Sequence, residues 1–136
     1  MSHRSLVRRA EAGFTLIELL VVVSLIVILA SIGLANYHNG IVRAREAVLK
    51  EDLFRMRDAI DQYYADKGTY PTEINSLVSD GYLRAVPKDP FTNSATSWQT
   101  VQSQPDPANP TATPGVYDVK SGSDATALDG TKYSDW

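Results

Sequence analysis

Apolar and polar positions divide this chain into zones. A short basic stretch, residues 1–13, comes first; residues 14–35 are then almost continuously apolar. From Leu19 to Ala35 only Leu, Val, Ile, Ala, Gly and two Ser occur. Counted from Phe14, about 22 residues at 1.5 Å each reach across a hydrocarbon core of roughly 30 Å. A helix buried in a soluble protein rarely lacks a polar face so completely. Beyond residue 36 the pattern changes. Ile41, Ala44, Val48, Leu53, Met56, Ile60 and Tyr63 or Tyr64 recur at helical intervals, with basic and acidic residues between them. One helix from about residue 14 to 66 is predicted, on the order of 80 Å long. Gly68 supplies its stop, with Pro71 just beyond.

The rest of the pattern is short. Residues 74–79 read as a second helix closed by Gly81, followed by an extended segment broken by Pro87 and Pro90. Residues 97–102 and 115–121 mix β-prone positions and are predicted strands. Between them, residues 103–115 hold four prolines in thirteen residues and read as a surface loop. The expected fold is α+β. A long N-terminal helix, half membrane-spanning and half amphipathic, packs on a short helix and a small antiparallel sheet of two or three strands. The organisation is a leader (1–13), a transmembrane helix (14–35) and a polar body (36–136).

Charge orients this arrangement. Arg4, Arg8 and Arg9 precede the apolar run, so the positive-inside rule puts residues 1–13 in the cytoplasm and the body outside. Residues 14–136 hold 10 Lys and Arg against 15 Asp and Glu, an acidic body without a basic patch and no partner for nucleic acid. The chain has no cysteine, which excludes disulfides, thiolate metal sites and a Cys nucleophile. No catalytic set is apparent. His38 has no ligand or acid partner at useful spacing, and no phosphate-binding glycine motif occurs.

Glu18 breaks the apolar pattern. It is the only charged residue between Glu11 and Arg43. A cleavable secretory signal would have a shorter apolar region, about 7–15 residues, before a site such as the small residues of ASIGLA. A plain anchor gives no reason for the carboxylate, which costs roughly 2.5–3.5 kcal/mol at a bilayer centre and less near the interface. A third reading makes it functional.

The run GFTLIELLVVVSLIVILA, residues 13–30, resembles the signal of type IV pilins and type II secretion pseudopilins. The resemblance implies cleavage by a prepilin peptidase between Gly13 and Phe14, methylation of the new Phe14 amino terminus and retention of the apolar helix. The new ammonium then lies four residues before Glu18, near one helix face. In a bundle of such helices, Glu18 of one subunit neutralises the amino terminus of its neighbour and sets axial register, because a buried charge needs a partner. Many members of that family have a proline in mid-helix where this chain has Ala35.

The body resembles the major pseudopilins of type II secretion. Gly68, Tyr70, Pro71, Thr72, Gly81, Tyr82, Leu83, Pro87, Asp89 and Pro90 fit that pattern. From the residues alone they read as turn and packing positions. In that family the segment corresponding to 117–136 opens a calcium loop. Carried over, the ligands are Asp124, the backbone oxygen of Ser121 and Asp129. The departure is Ala125 in place of a glycine and a shortened ATALDG. Six to eight oxygens are what Ca²⁺ takes. Trp136 matches the family's ending.

The expected protein is a structural subunit and not an enzyme. It forms a homopolymeric pseudopilus filament in type II protein secretion. It is held in membrane lipid before assembly, single-pass in the inner membrane with its body in the periplasm. Its partners are prepilin peptidase, minor pseudopilins and an inner-membrane assembly platform. A type IV pilin of a surface pilus is the rival reading, and a periplasmic binding or enzyme domain on a simple anchor is the third.

Overall fold

The structure, a computed structural model, describes the backbone from Arg4 to Trp136 and side chains from Thr15 onward. Helix α1 spans Arg4–Lys67, α2 spans Ile74–Ser79, strand β1 spans Gln99–Gln102 and β2 spans Val116–Lys120; a 3₁₀ turn covers Tyr133–Asp135. The long helix, the short helix and the antiparallel pair are the α+β arrangement expected from the pattern. The start of α1 differs, because its bounds take in residues assigned to the leader. The chain divides into two compact units, Met1–Ile41 and Val42–Trp136.

In the first unit, every described side chain from Thr15 to Ile41 is exposed. The Thr15–Lys67 stretch of α1 contains a segment long and apolar enough to cross a membrane. Ser24 and Ser31 donate their hydroxyls to the carbonyls of Leu20 and Val27, each at 2.8 Å. These bonds satisfy both hydroxyls within the helix, which lets serines sit in lipid at little cost.

In the second unit, α1 presents Leu49, Leu53, Met56 and Ile60 to a core completed by Leu77, Trp98, Val116, Val119, Ala127 and Tyr133. The expected face was right from Leu53 onward. It failed earlier: Ile41, Ala44 and Val48 are exposed, and Leu49 is buried in their stead. The sequence offers apolar residues at both 48 and 49. Spacing to Leu53 and Met56 selects Leu49, four residues before Leu53 on the same side of the helix.

Turn chemistry places the remaining pieces. Gly68 ends α1 at φ 70°, and its N–H donates to the Tyr64 carbonyl at 2.8 Å. That left-handed cap suits glycine. Lys67 pairs with Asp80 at 3.1 Å, and the Tyr82 hydroxyl donates to Asp66 at 2.8 Å, joining the ends of the two helices. Strands β1 and β2 pair antiparallel, Gln99 opposite Lys120 and Val101 opposite Asp118, with an irregularity at Val101/Gln102. β2 buries Val116 and Val119, while β1 is exposed throughout. A Cβ on Gly115 would lie 2.6 Å from the Tyr70 carbonyl oxygen, and one on Gly122 would run into the Ser97 carbonyl. Both glycines permit close backbone approach.

Candidate functional site

Two regions carry the residues singled out by sequence. The first is the apolar segment. Glu18 is an exposed carboxylate among exposed apolar side chains, including Leu16, Leu19 and Leu20, each at least 60% exposed. Nothing within the subunit covers these side chains among the described residues. Gly13 and Phe14, the expected processing junction, lie outside the residues whose side chains are described. At Gly33 and Gly40 a Cβ would meet open space, so neither glycine serves packing inside the subunit. Each weakens the helix by roughly 1 kcal/mol relative to alanine.

The second region is the loop after β2. Ser121 is buried and donates its hydroxyl to Oδ2 of Asp89, itself fully buried. The same oxygen accepts the Gly122 N–H at 3.2 Å, and Oδ1 accepts the Phe91 N–H at 2.9 Å. Asp89 thus joins the 87–94 turn to the start of the C-terminal loop. Trp98 reinforces that turn by donating its indole N–H to the Pro87 carbonyl at 2.8 Å.

Further along, a chain of hydrogen bonds closes the loop on itself. Thr126 and Lys132 form an antiparallel bridge. Oδ1 of Asp129 accepts from the Thr131 N–H at 3.0 Å and the Thr131 hydroxyl at 2.6 Å. The Thr131 hydroxyl in turn accepts the Trp136 indole N–H at 2.7 Å. The two donors from Thr131, hydroxyl first, hold the Asp129 carboxyl below its usual range, and the Lys50 ammonium adds to this.

Two residues of α1 fasten this loop to the body. Oε1 of Glu46 accepts the Leu128 N–H at 2.9 Å and the Tyr133 hydroxyl at 2.8 Å. Burial, then the Glu46 partner, pushes the Tyr133 phenol up to about 12. Arg57 donates to Oδ1 of Asp118 at 2.7 Å and to the main-chain oxygens of Val119 at 3.0 Å and Trp136 at 2.7 Å. The Tyr133 ring stacks on Phe91 with centroids 3.8 Å apart and meets Trp136 edge-on at 5.1 Å.

These contacts bear on the three expected calcium ligands. Asp124 is exposed and makes no side-chain hydrogen bond or ion pair among the described residues. Asp129 spends one oxygen on Thr131, while Asp89 takes the Ser121 hydroxyl and not the main-chain oxygen expected as a ligand. No group of three or more His, Asp or Glu side chains among the described residues is placed to hold a metal ion. A hard cation needs six to eight oxygens. The shortened loop is closed by side-chain donors of its own.

Glu46, Arg57 and Asp89 were not singled out as functional by sequence. Glu46 and Arg57 read as two more charges on an amphipathic helix, because their partners lie 61 to 87 positions away. Asp89 was visible within its Pro-flanked turn, yet nothing local marks it as buried.

Comparison with known proteins agrees with this picture. Residues 8–34 match the prokaryotic N-terminal methylation motif. The type II secretion system core protein G of Klebsiella michiganensis is 30% identical over 62% of this chain and 70% of its own length. That of Pseudomonas aeruginosa is 33% identical over 63% of this chain and 72% of its own. The fimbrial protein EcpC of Eikenella corrodens is 31% identical over 60% of this chain but only 56% of its own. No solved structure matches. With an N-terminal methylation motif, a long helix whose apolar segment can cross a membrane and a small α+β body, the chain belongs to the type II secretion core protein G family of pseudopilins.

Proposed function

We propose that this protein is the structural subunit of a helical pseudopilus filament in type II protein secretion. Prepilin peptidase cuts it between Gly13 and Phe14 on the cytoplasmic side of the inner membrane, and Phe14 is methylated. The apolar part of α1 then holds the subunit in lipid, with the body in the periplasm, until an assembly platform withdraws it into the filament alongside minor pseudopilins. Within the filament the apolar segments of neighbouring copies cover one another.

The observation that carries this reading is Glu18. A lone carboxylate stands exposed in an apolar helix, five positions after the expected cleavage glycine. In lipid it is unfavourable; beside a neighbour's new amino terminus it is paired. A subunit at the wrong axial height leaves both charges alone in a medium of low dielectric. The match to core protein G over more than two thirds of the relatives' length, against 56% for the fimbrial relative, favours secretion over a surface pilus.

Intact-mass and N-terminal analysis of the membrane fraction tests the processing step, and filament counts test the pairing. Glu18→Val is expected to leave insertion and cleavage intact while filaments disappear. Normal filaments from that variant would remove the register argument, and a mature chain starting anywhere but Phe14 would remove the processing assignment.

A further inference from the structure

Residues 103–115, between β1 and β2, contribute no side chain to the core, yet they are held in shape. The Ser103 N–H donates to the Gly115 carbonyl at 2.8 Å, and the Gly115 N–H donates to the Ser103 hydroxyl at 3.1 Å, so the two ends are pinned together. Within the loop the Asn109 N–H donates to the Asp106 carbonyl and the Ala112 N–H to the Asn109 carbonyl, each at 3.0 Å. Four prolines fix φ around these turns. Against the loop stand Tyr64, near the end of α1, and Tyr70, just after it, their rings stacked with centroids 4.5 Å apart. Loop and rings border an open cleft of about 110 Å³. That is room for roughly seven to eleven waters, the scale of one sugar ring. The two tyrosines give it an apolar wall, and Asp106, Asn109 and Thr113 give it a polar edge. Oδ1 of Asp106 accepts the Ala108 N–H at 2.9 Å, and Oδ1 of Asn109 accepts the Thr111 hydroxyl at 3.0 Å. Oδ2 of Asp106, Nδ2 of Asn109 and the Thr113 hydroxyl have no partner among the described residues.

We propose that this cleft binds a neutral pyranose, one residue of a glycan. A pyranose has a face of C–H groups that packs on an aromatic ring, and an edge of hydroxyls that both donate and accept. Asp106 Oδ2 accepts a hydroxyl proton, and Asn109 Nδ2, three residues along the same turn, donates to a hydroxyl oxygen. An acceptor and a donor so placed match two hydroxyls of one ring. Other ligands fit less well. A proline-rich peptide would pack on the tyrosines, but its proline backbone offers carbonyl acceptors alone and leaves Asp106 without a proton to accept. A phosphate or a uronic acid would bring negative charge against Asp106, and among the described residues no Lys or Arg lines the cleft. One ring in one exposed cleft binds weakly, with a Kd of about a millimolar. The proposal stands apart from the filament reading. In a filament the site would recur on every copy, and weak sites would add by avidity.

The test uses full-length chain in a detergent without a sugar headgroup, titrated with cellotriose and read by saturation-transfer difference NMR. Saturation should pass from the protein to ring C–H protons of the trisaccharide. Asp106→Ala, a change at an exposed position, should weaken binding at least about tenfold while the melting temperature stays as in wild type. Tyr64→Ala should weaken it by a similar factor. Tyr37→Ala, which removes an exposed ring from the other unit, should leave binding unchanged. No transfer to cellotriose, or transfer that survives both Asp106→Ala and Tyr64→Ala, overturns the proposal. Preferential binding of hexaproline also overturns it and makes the cleft a peptide groove; preferential binding of trigalacturonate overturns the charge argument and the proposal with it. Two sources of the sugar are then separable. Retention of the chain on isolated cell-wall sacculi, with release by cellotriose, assigns the glycan to the wall. Binding of the soluble sugar without retention assigns it to a free oligosaccharide. None of these readouts uses filaments, so their failure leaves the filament reading standing.

Discussion

Replacing Asp89 should unfold this body more readily than replacing any exposed acidic residue. Its carboxylate is fully buried and takes three donors, the Ser121 hydroxyl, the Gly122 N–H and the Phe91 N–H. Hydrogen bonds to a charged acceptor contribute about 1.5–3 kcal/mol each, and a buried donor left alone costs about 1–3 kcal/mol. These figures are not additive, because the three donors share one small group. Asp89→Ala is therefore expected to cost about 3–5 kcal/mol, the range for removing one partner of a buried charged contact. For a body of this size each kcal/mol moves the melting temperature by about 4–8 °C, so a drop of at least roughly 12 °C is expected.

Asp89→Asn tests the chemistry separately from the volume. An amide keeps the shape but turns one acceptor into a donor. Oriented one way it faces Ser121 and Gly122 with an NH₂; oriented the other way it faces Phe91. Either orientation opposes donor to donor, so the isosteric variant should also melt well below the wild type. Ser121→Ala removes one donor and should cost less, about 1–2 kcal/mol. Added to Asp89→Ala it should cost little more, since the two share one contact. Thermal unfolding of the full-length chain in detergent, followed by near-ultraviolet circular dichroism, reads all four variants. An Asp89→Asn protein melting within 2 °C or so of wild type would show that the carboxylate is not what joins the 87–94 turn to the C-terminal loop.

Two other outcomes are expected. The Tyr133 phenol is pushed up to about 12 from a usual value near 10, so its contribution to stability is complete below pH 10 and is lost as pH rises from there through 12; Tyr133→Phe should flatten that alkaline loss in melting curves, and an unchanged slope would contradict it. The C-terminal loop, closed by Asp129, Thr131 and Trp136, should melt lower in Thr131→Val; calcium held by Asp124, Asp129 and the Ser121 main-chain oxygen at a hundredfold above its Kd should add about 2.7 kcal/mol that Asp124→Ala abolishes, and a melting temperature unchanged by chelator would remove that site.

What was legible in the sequence follows from the range of each interaction. The bounds of α2, the stop of α1 at Gly68 and the two strands were readable because caps, turns and β-alternation act within a few residues. Glu18 was readable for a related reason, since one charge in a long apolar run needs no structure to stand out. The helix face was read correctly only where it was unambiguous. At Val48 and Leu49 two adjacent apolar residues compete, and the winner is decided by what the rest of the chain packs against that turn. The fastening of the C-terminal loop was not readable at all. Glu46 and Arg57 look like solvated helix charges until residues 118–136 fold back to meet them, and Asp89 looks like one more turn aspartate until Ser121 arrives from 32 positions away.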